Sequence, residues 1–129
     1  MAEYLSDEWM DAAGAALSAS ASLADAAADL DLTIGYEIAG APGGKRQYAV
    51  SFDHGSVALE PNAGSNAPVT FALDYESAVA IAKGELSPQA AFMQGRLKLG
   101  GDSMILIRDA AALKGIDDAL AEVRSDTTF

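Results

Sequence analysis

The sequence predicts an α+β fold built on a largely antiparallel sheet. Three observations carry this. Short segments in the middle of the chain alternate apolar and polar residues with period two, the mark of strands with one buried face. Segments at both ends space their apolar residues at helical intervals. Turns, not helices, join most of the strand segments, and short connections favour antiparallel neighbours.

The elements follow in order. Ser6 before Asp7 and Glu8 predicts a helix start, with a side-chain acceptor for free N–H groups and acids near the positive end of the dipole. Trp9, Ala13, Ala16, Leu17 and Ser20 then share one face. The many alanines give a thin helix suited to close packing on a sheet. The Ser-Ala alternation from Ser18 to Ser22 predicts an interruption, with a shorter helix running on to about Leu30. Leu32, Ile34, Tyr36 and Ile38 mark the first strand, and Gly40 to Gly44, with Pro42, a turn. Tyr48, Val50 and Phe52 mark the second strand. Asp53-His54-Gly55 is a tight reversal, because Gly accepts positive φ. Val57 and Leu59 form a short strand, Pro61 to Pro68 a polar loop, and Val69, Phe71 and Leu73 another strand.

Helical signals then return. Asp74 is placed to cap a helix carrying Ala78, Val79, Ile81 and Ala82 that stops at Gly84. Ser87-Pro88 is a second start, with Pro where a missing N–H costs nothing. Ala91, Phe92 and Met93 are expected to face inward before Gly95. Leu97 and Leu99 give a fifth strand, ended by Gly100-Gly101. A helix is expected from Asp102 or Ser103 to about Leu113, and a last one after Gly115 with Ile116, Leu120 and Val123 on one face. No repeat or linker divides residues 1–129, which predicts one domain.

Composition narrows the function. Half the residues are apolar and there is no cysteine, which excludes disulfides and thiolate chemistry. A net charge of -11 makes nucleic acid and anionic membrane surfaces poor partners. No apolar run approaches the ~20 residues of a membrane span. The acidic N-terminus is unlike a secretory signal, and Asp126-Thr127-Thr128-Phe129 is no peroxisomal or retention address. A cytoplasmic protein without stable membrane insertion is therefore expected.

Catalytic chemistry finds little support. His54 is the sole histidine and lies in a turn, so no metal site is expected. Asp7-Glu8 and Asp117-Asp118 read as acids at helix starts, and Gly43-Gly44-Lys45 lacks phosphate-loop spacing. Lys45-Arg46, Arg96 and Lys98 read as solvated strand faces or as contacts to an acidic head group. What remains is an apolar surplus. Met104-Ile105-Leu106-Ile107 is apolar most of the way round a helix. It fits a helix buried between a sheet and a neighbour, or one whose second side lines a pocket.

The run from Gly84 to Asp102, GELSPQAAFMQGRLKLGGD, resembles the signature of the sterol-carrier protein type-2 family. That signature reads G-[K/E]-[L/M]-[S/N/D]-P-Q-x-A-F-[F/M]-x-G-[K/R]-L-K-x-x-G-[N/D]. The likeness extends over roughly residues 33 to 113. It implies a five-stranded, mostly antiparallel sheet covered on one side by helices, with a hydrophobic tunnel between them. It further implies non-catalytic, cofactor-free binding and transfer of a long-chain fatty acid, acyl-CoA, sterol or phospholipid. The residues it implies as tunnel lining are Phe71, Leu73, Val79, Phe92, Met93, Leu97, Leu99, Met104, Ile105, Ile107, Ile116 and Leu120. Its last helix, after Gly115, is the implied lid. Where some relatives carry a polar Gln in the helix bordering the tunnel, this chain has Leu106, Ile107 and Arg108, which implies a more apolar wall. A second reading is an interaction module that delivers substrate to a lipid-metabolising enzyme.

Overall fold

The computed structural model describes residues 2–41, 44–64, 66–101, 104–125 and 127–128. The side chains of Ala2, Ile105 and Leu106 lie outside this description. So do part of the Pro42 turn, Ser65 in the polar loop, the helix start expected at Asp102 or Ser103, and the terminal residues Asp126 and Phe129.

Two helices open the chain after a short strand, β1 (Ala2–Glu3). Ser6 caps α1 (Asp7–Ala19) by accepting from the Trp9 N–H at 3.1 Å. The Ser-Ala alternation does interrupt it. Ser20 leaves helical geometry and caps α2 (Ala21–Ala26), its hydroxyl accepting from the Leu23 N–H.

The sheet follows: β2 (Asp31–Ala39), β3 (Arg46–Asp53), β4 (Ser56–Pro61) and β5 (Val69–Asp74), joined later by β6 (Leu97–Gly101). Its strand order is β4-β3-β2-β5-β6. The neighbours are antiparallel except one pair: β5 runs parallel to β2, with Tyr36 opposite Phe71. Three of the four strand pairs are antiparallel, so the sheet is mostly antiparallel, as the sequence predicts. The Pro61–Pro68 loop lets β5 return to the far side of β2. At Gly35 the loop touches the sheet so closely that a Cβ there would run into the Gly64 carbonyl. Gly64 also covers Ala49, which is buried on the same face.

The hairpin between β3 and β4 turns at His54 and Gly55, both with positive φ, matching the twist of paired strands. Backbone bonds from His54 N to Leu30 O and from Gly55 N to Ala27 O dock this turn on the end of α2.

Two short helices follow β5. Asp74 caps α3 (Tyr75–Ala82), accepting from the Ser77 N–H at 2.9 Å. Those hydrogen bonds hold the Asp74 carboxyl below its usual range, helped by Arg96. Gly84 closes the helix, with the Glu85 N–H returning to the Ala80 carbonyl. Ser87 caps α4 (Pro88–Met93), with Pro88 in its first turn. From the strand end, Arg96 Nε donates to Ser77 Oγ at 3.1 Å and ties β6 to the start of α3. β6 runs through both glycines, pairing Gly100 with Thr70 and Gly101 with Val69. Gly100-Gly101 therefore does not end the strand. A Cβ at Gly100 would meet the Thr70 hydroxyl, and one at Gly101 the Pro68 carbonyl, so close approach to β5 is the reason for glycine.

The C-terminal half departs further from expectation. After α5 (Ile105–Arg108), the helix α6 runs unbroken from Ala110 to Arg124. The break falls at Asp109, and Gly115 does not separate two helices. It is buried inside α6, where a Cβ would lie 2.8 Å from Leu23 Cδ1. Its hydrogen atom in place of a side chain lets α2 and α6 pack at close range. A last strand, β7 (Thr127–Thr128), pairs in parallel with β1 and joins the two termini.

The core lies between one face of the sheet and the helices, with Ile34, Val50, Phe52, Phe71 and Val69 meeting Met10, Leu17 and Leu23.

Candidate functional site

Period two places Tyr36 and Ile38 of β2, Tyr48 and Val50 of β3, Phe71 and Leu73 of β5, and Leu97 of β6 on one sheet face. These seven residues line an apolar cavity. From above, α3 contributes Ala78, Ile81 and Ala82, α4 contributes Pro88, and α6 contributes Leu113, Ile116, Asp117, Leu120 and Arg124. Tyr4, Trp9 and Thr127 complete it. The cavity volume is ≈ 70 Å³, several water-sized sites at about 10–15 Å³ each. It adjoins an outer groove of ≈ 520 Å³ between the α3–α4 corner and α6. Ile81, Pro88, Leu113, Asp117 and Arg124 line both and form the neck between them.

Aromatic rings build one wall. Tyr36 and Tyr48 stack at 4.8 Å, Tyr36 meets Phe71 edge-on at 5.3 Å, and Tyr4 meets Trp9 edge-on at 4.9 Å. The Tyr4 hydroxyl donates to the Ala78 carbonyl at 3.3 Å. Burial pushes the Tyr4, Tyr36 and Tyr48 hydroxyls far up from their ordinary pKa, so all three stay protonated.

Asp117 is the unusual member. The sequence reading placed it at a helix start, where capping accounts for an acid. It lies in the middle of α6 instead, on the apolar stripe Leu113, Ile116, Leu120 that faces the cavity. Burial, and next the charge of Asp118, push its carboxyl up from 3.8 to about 6, against a smaller opposing pull from Arg124. Among the described residues its carboxylate has no hydrogen bond and no ion pair. Arg124 is held at the neck by a 2.7 Å bond from Nε to the Ala82 carbonyl, where α3 ends. Thr127 Oγ1 donates to the Val123 carbonyl.

Of the residues expected to line a tunnel, Phe71, Leu73, Leu97, Ile116 and Leu120 converge on the cavity. Val79 and Leu99 are half-buried and pack against the core beside it. Phe92, Met93, Met104 and Ile107 are exposed, at 40, 84, 54 and 74 % respectively, and lie outside the lining. The physical reason is helix length. α4 has six residues, and its inner positions go to Pro88 and Ala91, three apart, which leaves Phe92 and Met93 outward. In and beside α5, the described apolar side chains Met104 and Ile107 stand in solvent. The Ile105 side chain lies outside the described residues. α6 borders the cavity, and the polar positions it brings there are Asp117 and Arg124; Ile107 and Arg108 are outside the lining.

The lining expected from the sequence omits the sheet residues Tyr36, Ile38, Tyr48 and Val50, the helix residues Ala78, Ile81, Ala82, Pro88 and Leu113, and also Tyr4, Trp9, Asp117, Arg124 and Thr127. For Asp117 a signal existed: it stands four residues after Leu113 and three before Leu120. For Tyr4 and Thr127 none did, since the β1–β7 pairing brings them in from the two ends of the chain. His54 is exposed at its turn, away from the cavity. The described residues include no group of three His, Cys, Asp or Glu placed to hold a metal ion. Nor do they include a helix long and apolar enough to cross a membrane.

Comparison with known proteins places this architecture. A model of the SCP-2 sterol transfer family matches residues 13–114. The structure of a conserved protein from Thermus thermophilus, described as possibly a sterol carrier protein, is similar over 95 % of this chain and 91 % of its own. The TM-score is 0.81 and the identity 21 %. A crystal structure of sterol carrier protein 2 is similar over 93 % of this chain and 98 % of its own, with TM-score 0.81 and 20 % identity. Palmitated SCP2L2 from Aedes aegypti is similar over 67 % of this chain and 73 % of its own, with TM-score 0.54 and 22 % identity. No match was found among curated protein sequences. The matched model covers most of the chain, from α1 into α6, and the sheet and helices agree with those of the solved structures: the chain belongs to the SCP-2 sterol transfer family.

Proposed function

We propose that this protein binds one long-chain lipid and carries it through water, with the chain in the apolar cavity and the polar end toward the neck. The observation that supports this most is the cavity. Apolar side chains from four strands, α3 and α6 leave a space unfilled, although protein interiors are otherwise close-packed. Each methylene buried there contributes about 0.8 kcal/mol before the cost of ordering the chain.

The cavity is too small to take a sixteen-carbon chain as it stands. Uptake therefore parts the α3–α4 corner from α6, so that cavity and outer groove join into one tunnel. Both share the five neck residues, which makes this the shortest route. The segment after Gly115 is not a separate lid, because α6 is continuous and its end is held by Arg124 and by β7. No catalytic role is assigned to the site. The palmitated mosquito relative supports a long hydrocarbon chain as the part of the cargo that lies in the cavity.

The test is titration of delipidated protein with long-chain lipids, followed by transfer between donor and acceptor vesicles. Saturable binding at one lipid per chain, with transfer faster than spontaneous exchange, is expected. Absence of saturable binding for fatty acids, alcohols and sterols alike would contradict a carrier role. It would favour a module that only presents a surface to a lipid-metabolising enzyme.

A further inference from the structure

We propose that Asp117 sets head-group specificity at the neck, so that the cavity prefers neutral, hydroxyl-bearing lipids, such as long-chain alcohols or sterols, over fatty-acid anions. The inference rests on the lipid-binding reading above and narrows it to a class of cargo.

The chemistry comes from three polar groups in an otherwise apolar space. Asp117, Tyr36 and Tyr48 line the same cavity. The Asp117 charge is felt at both tyrosine hydroxyls, which places the three groups in one electrostatic neighbourhood. Among the described residues neither tyrosine hydroxyl makes a hydrogen bond, and Asp117 has none. Groups left unpaired in an apolar site are costly, and a ligand that pairs with them recovers that cost.

A hydroxyl group both donates and accepts. On the cavity side of the neck, where Asp117, Tyr36 and Tyr48 share the lining, it meets an acceptor in the Asp117 carboxylate and donors in the tyrosine hydroxyls. A carboxylate only accepts. Beside ionised Asp117 it finds like charge in a poorly solvated place, which is repulsive.

The groups facing Asp117 are few. On α6 itself they are Asp118, Arg124 and Lys114, and Lys114 is engaged by Asp118 at 3.7 Å. From the sheet come Tyr36 and Tyr48, protonated at all ordinary pH. From the α3–α4 side the neck offers Ile81 and Pro88, which carry no charge. Arg124 is the one cation at the neck among the described residues; Nε donates to the Ala82 carbonyl, and its charge pulls on Asp117 less than burial and Asp118 push. With the Asp117 carboxyl near 6, the repulsion is present at neutral pH and fades in mild acid, where the protonated carboxyl itself becomes a donor.

The experiment measures partition of radiolabelled 1-hexadecanol and palmitate between phosphatidylcholine vesicles and delipidated protein, for wild type, Asp117→Asn and Tyr48→Phe. At pH 7.5 the wild type is expected to take the alcohol at least tenfold over the acid. Asp117→Asn is expected to raise palmitate partition about tenfold at pH 7.5 and less than threefold at pH 5. Comparing variants at one pH cancels the acid's own titration. Tyr48→Phe is expected to lower hexadecanol partition at least threefold. If both lipids bind and Asp117→Asn leaves palmitate unchanged at pH 7.5, the specificity proposal is overturned while lipid binding stands. If neither lipid partitions into wild type or variants, both proposals fall.

Discussion

Asp117 places a carboxylate where water is scarce, and the protein's stability records the cost. Its carboxyl titrates at about 6 in the fold against 3.8 in the ordinary state. A rise of roughly two pH units, at about 1.4 kcal/mol each, makes ionised Asp117 a burden of about 3 kcal/mol. The folded carboxyl holds its proton more tightly than the unfolded one, so the folded state binds more protons between the two values. Stability from this group is therefore complete below pH 4 and is lost as pH rises through 6. Asp117→Asn removes the charge and keeps the shape. It is expected to raise stability by about 2–3 kcal/mol at pH 8 and by only about 0.6 kcal/mol at pH 4. At a few degrees per kcal/mol for a chain of this size, that is a rise of roughly 10 °C in Tm at pH 8. Urea and thermal unfolding of lipid-free wild type and variant at pH 4, 6 and 8 measure it. The pairwise difference cancels the titration of the other acids. Coincident curves at pH 8, or equal stabilisation at pH 4 and 8, would refute the reasoning.

Other substitutions probe the scaffold. Gly35→Ala, whose methyl group meets the Gly64 carbonyl, is expected to cost at least about 2 kcal/mol in urea unfolding, because backbone on both sides must shift. Gly115→Ala is expected to stay within about 1 kcal/mol of wild type. The helix gains what the Leu23 side chain loses by moving aside, whereas Gly115→Val should cost about 1–3 kcal/mol. If Gly115 were a hinge, the Ala variant would instead slow lipid exchange at unchanged stability, which stopped-flow transfer measures. Arg124→Met removes the bond to the Ala82 carbonyl across the neck and should speed lipid release about tenfold, the equivalent of one hydrogen bond to a charged group. Asp74→Ala is expected to cost about 1 kcal/mol through loss of the α3 cap.

Much of this fold was legible because its signals are local. Ser6, Asp74 and Ser87 each cap the helix that their spacing predicts, and period two alone places Tyr36, Ile38, Tyr48 and Val50 on one face. The five strands and the α+β class follow from the same patterns. What was illegible depends on contacts between distant parts. The parallel β2–β5 pair rests on the Gly35–Gly64 crossing, and glycine carries no mark of what it lies against. Gly115 reads as a stop until Leu23 is seen beside it. The site was half legible. Phe71, Leu73, Leu97, Ile116 and Leu120 line the cavity because strand alternation and the α6 stripe fix them. Phe92, Met93, Met104 and Ile107 point elsewhere, since hydrophobicity alone does not say which side of a four- or six-residue helix meets the core.

The proposed carrier role puts the lipid's hydrocarbon chain in the cavity, and the protein carries its own reporter of that. Trp9 is the only tryptophan, and it lines that cavity. Titrating delipidated protein with a lipid brominated at mid-chain should quench Trp9 emission saturably at one lipid per protein, while the unbrominated lipid should not. A brominated lipid that binds with the same stoichiometry yet leaves Trp9 emission unchanged would place the chain elsewhere and contradict the account.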